Sequence, residues 1–140
     1  MQDYNYWRFG CLEITVEMSC CKYPSSSELE GFWNKNRKSL IDYLKIANTG
    51  VKGIIRFEDG TRAKHVTVKI DSREPYFKTN EDGEFYRILL PGTYTLSVAL
   101  ECDNIYQMTI QIPQSTRLLE QNIMINTQHL EKYRSLSLNR

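Results

Sequence analysis

Histidine is scarce in this sequence: the 140 residues hold two, His65 and His129, which leaves little imidazole for metal binding or proton transfer. His65 falls at the start of an apolar-alternating run and His129 in a polar tail, the ordinary places for surface histidines. An excess of either charge is also missing, since 18 Lys and Arg stand against 17 Asp and Glu for a net charge of +1. That balance argues against nucleic acid or a polybasic membrane contact as partner. No apolar run approaches the roughly 20 residues of a membrane span, and the opening Met1 to Tyr6 lacks the basic start and apolar stretch of a signal peptide. Four cysteines, Cys11, Cys20, Cys21 and Cys102, are too few for a disulfide scaffold, and Cys20 and Cys21 are adjacent, where a mutual bridge is strained. No Asn-x-Ser/Thr acceptor site occurs.

What is present divides at Gly50. In Cys11 to Ser19, Leu12, Ile14, Val16 and Met18 alternate with Glu13, Thr15, Glu17 and Ser19, the period of a strand. Carboxylates within an apolar strand must be paired, hydrogen-bonded or exposed in a cleft, and a wet edge strand is the commoner source of such a pattern. The residues alone give no preference between Glu13 and Glu17. Cys20 to Pro24 reads as a loop. Ser25/Glu28 and Ser27/Glu30 have capping-box spacing, and Leu29, Phe32 or Trp33, Leu40 or Ile41, Leu44 and Ala47 then recur at helical spacing. A helix is predicted over about 28–48, closed by Gly50. One strand and one helix cannot enclose a core, so 1–49 reads as part of a larger α/β unit.

From Val51 the period becomes two and stays so. Apolar-alternating runs fall at 51–57, 65–70, 84–90, 93–100, 105–112 and 118–125, separated by turn residues such as Asp59-Gly60, Asn80 to Gly83, Pro91-Gly92 and Asp103-Asn104. Six or seven strands in so short a span predict a small all-β sandwich over 50–127. The polar remainder, 128–140, is predicted as a mobile tail with a frayed helical turn or two.

Met1 to Tyr6, Cys11 to Pro24, Phe32-Trp33, Asn36 to Ile41 and Gly50 to Gly53 closely resemble the end of the catalytic domain in the regulatory N/E group of M14 zinc carboxypeptidases. Thr79 to Tyr94 is similar to the transthyretin-like sandwich that follows it, and the resemblance covers roughly 1–112. Departures are the absent proline in the Asp59 to His65 loop and the helix end Ile-Ala-Asn-Thr-Gly, where relatives often carry histidine. The resemblance implies that Glu17 is the catalytic glutamate of a Thr-x-Glu-x signature, and a carboxylate at a strand end suits a base for hydrolysis. It places Gln2 where the substrate's last side chain is received, with Asp3 as a neighbour suited to structural hydrogen bonding.

The same resemblance implies a zinc-dependent parent that removes C-terminal Lys or Arg from peptides and proteins in the extracellular space or secretory pathway, soluble or membrane-anchored. It implies too that the zinc ligands and the groups holding the substrate carboxylate lie upstream, so that this chain binds no zinc and is inactive alone. Met1 then falls inside a longer domain. Cys11 and one of Cys20 and Cys21 would bond cysteines in that upstream part, whereas Cys102 has no readable partner. A cytosolic chain with four reduced cysteines is the alternative. The competing function is a non-catalytic sandwich serving folding or protein contact; a hormone carrier would rest on fold analogy alone.

Overall fold

The computed structural model describes residues 1–71, 73–114 and 117–138. Two helices come first, α1 (Gln2–Phe9) and α2 (Ser26–Ile46), followed by β1 (Val51–Phe57), β2 (Thr67–Ile70), β3 (Arg73–Lys78), β4 (Glu84–Arg87), β5 (Gly92–Leu100), β6 (Asp103–Ile112), β7 (Leu119–Glu120) and β8 (Ile123–Ile125). A 3-10 turn over Thr127–His129 leads into α3 (Leu130–Leu138). The strands form two four-stranded sheets, consistent with a β-sandwich. In one, β1 pairs antiparallel with β4 and parallel with β7 and β8; the other runs β3-β2-β5-β6 and is antiparallel throughout.

Alternation makes the core. On β1, Val51, Ile55 and Phe57 are buried while Lys52 and Arg56 are exposed, and they join Val68, Leu96, Val98, Ile110, Ile123 and Ile125 in one apolar cluster drawn from both sheets. Burying each such side chain stabilises by roughly 1.5–3 kcal/mol. A buried hydroxyl ties two loops to this core: Thr79 Oγ1 accepts from Val66 N–H at 3.0 Å and donates to Ala63 O at 2.6 Å. Pairing it on both sides meets the requirement that buried polar groups be hydrogen-bonded.

The predicted strands 51–57, 93–100 and 105–112 correspond closely to β1, β5 and β6. The run 118–125 is two strands, because β1 comes so close at Gly53 that a Cβ there would collide with Gln121 O. Asn122 instead turns its Oδ1 to accept from Ile54 N–H at 3.0 Å. The edge strand β3 falls outside the predicted runs, since Pro75 and its charged neighbours hide the alternation; an edge is where a strand tolerates proline.

Two expectations for 1–49 meet different outcomes. The helix forms as read, with Glu28 Oε2 accepting from Ser25 N–H at 3.0 Å, but it ends at Ile46. Asn48 and Thr49 finish it with N–H bonds of 2.9 Å to Lys45 and Ile46 carbonyls, so Gly50 does not serve as its cap. The strand predicted over Cys11 to Ser19 does not form: the segment has no ladder partner among the described residues, and Leu12, Ile14, Val16 and Met18 are exposed. Period two permits a strand, but the ladder requires a neighbour. The α/β character of this half is therefore reduced here to helices and an extended segment. No described helix is long and apolar enough to cross a membrane.

Where a polar mobile tail was predicted, α3 packs on the sandwich. Leu130 and Tyr133 are buried, and the Tyr133 ring lies 4.9 Å from Phe57. The Tyr133 hydroxyl accepts from Lys64 N–H at 3.0 Å and donates to Arg62 O at 3.1 Å. Tyr133→Ala should lower the free energy of unfolding by about 3 kcal/mol, and Tyr133→Phe by about 1 kcal/mol. Equal midpoints for wild type and Tyr133→Ala in urea would contradict this docking.

Acid should loosen the Asp59 loop and the hold of Asp103 on α3. Hydrogen bonds from the Thr61 backbone and hydroxyl, each 2.9 Å, and then the nearby Arg134 hold the Asp59 carboxyl below its ordinary 3.8. Lys132, bonded to Asp103, does the same for that carboxylate. Depressed folded values mean stability that is present above 3.8 and lost as pH falls through the folded values. The urea midpoint of the Asp59→Asn, Asp103→Asn double variant should thus lie below wild type near neutrality and merge with it at acid pH. High salt should shrink the gap, because both carboxylates face solvent.

Candidate functional site

α1 closes on Gly10, whose φ of +68° is the left-handed value that lets its N–H reach back to Tyr6 O at 2.8 Å. The chain reverses there and runs back beside the helix. Asn5 Nδ2 donates to Glu13 Oε2, and Gln2 Nε2 donates to Thr15 Oγ1. The helix and the segment that carries Glu17 are thus held side by side, with Gln2 bonded two residues before that glutamate. Asp3 sits in the first turn of α1, where a negative charge complements the helix dipole.

Glu17 itself is exposed and lines an open cleft of about 550 Å³ between the segment and α2. Met18, Phe32 and Trp33 give the cleft apolar surface, and Cys20 and Cys21 lie at its side. Glu13, the other candidate carboxylate, is engaged by Asn5. Cys11, Cys20, Cys21 and Cys102 are all exposed free thiols.

The apolar stripe of α2 faces outward. No residue of this 21-residue helix is buried, and Trp33 and Leu44 keep 51% and 71% of their surface. A helix of this length with an uncovered stripe has the surface of an element made to be packed against.

Neither histidine joins the cleft. His65 Nε2 is 2.7 Å from Glu81 on the sandwich, and His129 Nε2 is 3.1 Å from the Gln128 amide in the turn before α3. Among the described residues, no three His, Cys, Asp or Glu side chains gather as a metal site. A catalytic zinc requires three such ligands, so the residues present do not fit one.

Sequence reasoning missed the group that joins this region to the sandwich. Arg87 of β4 lies with its guanidinium carbon 5.3 Å from the Tyr6 ring centroid and 5.4 Å from that of Phe77 on β3, and its Nη2 donates to Tyr6 Oη at 3.2 Å. Tyr6 and Arg87 are 81 positions apart, beyond any local pattern. A second tie runs from Tyr86 Oη to Ala47 O at the end of α2, and burial raises the Tyr86 phenol above 10.0.

No family model matches the chain. Individual proteins do. Carboxypeptidase M of Mus musculus is 44% identical over 115 residues, which cover 81% of this chain and 26% of that protein. Carboxypeptidase D of Homo sapiens is 44% identical over 101 residues, 71% of this chain and 7% of that protein. The carboxypeptidase N catalytic chain of Mus musculus is 36% identical over 97 residues, 69% and 21% respectively. A solved Caf1A usher C-terminal domain overlays 54% of this chain and 94% of its own with a TM-score of 0.41 at 12% identity, too slight a likeness to bear on function. The chain spans about a quarter or less of these carboxypeptidases. It belongs to the regulatory-type M14 carboxypeptidases, matching a part of each.

Proposed function

We propose that this chain is the C-terminal portion of a zinc metallocarboxypeptidase that removes C-terminal Lys or Arg from peptides and proteins outside the cell or in the secretory pathway. Residues 1–49 are the end of its catalytic domain and 50–127 a transthyretin-like sandwich, onto which α3 packs. The observation that supports this reading is the pairing of Gln2 with Thr15, which holds the first turn of α1 beside the segment that carries Glu17. Identity of 44% to carboxypeptidase M supports it.

Glu17 is the proton-transfer group. Its exposure in a cleft suits a carboxylate that must meet substrate, and a positioned carboxylate that takes and returns a proton is worth roughly 10²–10⁴-fold in rate. Gln2 contacts the substrate's C-terminal side chain. Zinc and its ligands belong to the remainder of the protein, as do the cysteines that bond Cys11 and one of Cys20 and Cys21. That remainder covers the outward stripe of α2 and gives the 11–19 segment its strand neighbours.

A second reading is favoured by one observation. Every residue of the apolar core lies between Val51 and Tyr133, so the sandwich has the makings of a non-catalytic folding or contact module. The two readings diverge on the coding sequence immediately upstream of Met1: zinc ligands encoded there in frame support the enzyme.

In the full-length protein, Glu17→Gln should abolish release of arginine from a peptide ending in arginine while zinc and peptide still bind, because shape is kept and the base removed. The 140-residue chain alone should release none. Near-wild-type turnover in Glu17→Gln would remove Glu17 from the chemistry.

A further inference from the structure

We propose that Arg87 is a positioning residue for the substrate site: from the edge of the sandwich it fixes α1, and thereby the place of Gln2 beside the Glu17 segment. The proposal rests on the roles given above to Gln2 and Glu17.

Arg87 is the last residue of β4 and is paired with Val51 in the core strand β1, so its backbone is anchored to the most buried part of the molecule. Its guanidinium stands between two rings, Tyr6 from α1 and Phe77 from β3, at 5.3 and 5.4 Å. Both separations are within cation–π range. The hydrogen bond to Tyr6 Oη at 3.2 Å fixes the ring's orientation as well as its distance. Gly10 leaves the space: a Cβ there would strike Arg87 Nη1. The cation also lies at the C-terminal end of α1, where the helix dipole is negative.

Tyr6 and Gln2 are four residues apart, on one face of the same helix. Whatever holds the Tyr6 ring therefore sets the Gln2 amide one turn away, and Gln2 in turn holds Thr15. An arginine suits the task better than a lysine, because a planar group can stack on two rings and direct an N–H along its plane. This gives the sandwich a part in substrate recognition that needs no contact with substrate.

The test is kinetic, on the full-length protein, with a peptide ending in arginine. Arg87→Met should raise KM by about 2- to 30-fold, the range of couplings carried through packed networks, with kcat within about twofold. Tyr6→Leu should do the same, and the double variant should add little to either single change, since one contact is being broken twice. Arg87→Lys should recover only part of the KM. Wild-type activity with KM unchanged in both single variants, or additive effects in the double, would overturn the role of Arg87 alone. A wild-type protein that releases no arginine would overturn the functional reading beneath it, and this role with it.

Discussion

β1 is paired on both edges, with β4 on one side and β7 and β8 on the other, and its inner face carries Val51, Ile55 and Phe57. The first sheet is built on that buried strand. The second sheet covers its inner face, and α3 covers Phe57 through Tyr133. Through β4 it fixes Arg87, and Arg87 fixes α1. The N-terminal region hangs on this strand by a few polar and aromatic contacts. Burial of apolar surface outweighs such contacts severalfold, which is why order in this chain is centred on the sandwich.

The N-terminal 49 residues present the opposite balance. They hold a capped helix of 21 residues and an apolar-alternating segment, yet contribute nothing to the core. Elements so well specified locally and so little buried accord with the proposal that they are part of a larger body, and the carboxypeptidases this chain matches are several times longer. Proposed catalysis and proposed binding both sit in this half. The arrangement makes physical sense if the sandwich serves as a rigid mount and the remaining protein provides the cover.

Much of the sandwich was legible because alternation and burial coincide. On β1 the buried Val51, Ile55 and Phe57 alternate with the exposed Lys52 and Arg56, Ile54 alone breaking the pattern, and the Ser25/Glu28 spacing marks the start of α2. The illegible parts have identifiable causes. Pro75 masked β3, and the approach of Gln121 to Gly53 split a run that looked continuous. Leu130, Tyr133 and Leu136 recur at helical spacing, a signal of a docked helix that the polar residues between them obscure. At the cleft, composition does not choose between Glu13 and Glu17, and only the resemblance to a family singles out Glu17. Arg87 left no local trace, because its partners come from α1 and β3.

The central claim, a sandwich folded in its own right carrying an N-terminal piece of a larger enzyme, is tested most directly by amide hydrogen exchange on the purified 140-residue chain. Slow amides should cluster in 51–112, with fast exchange across 11–19, where no ladder protects the backbone. Strong protection of the Ile14 to Met18 amides in a monomer would show that this segment has found a compact partner within the chain itself, and would contradict the account.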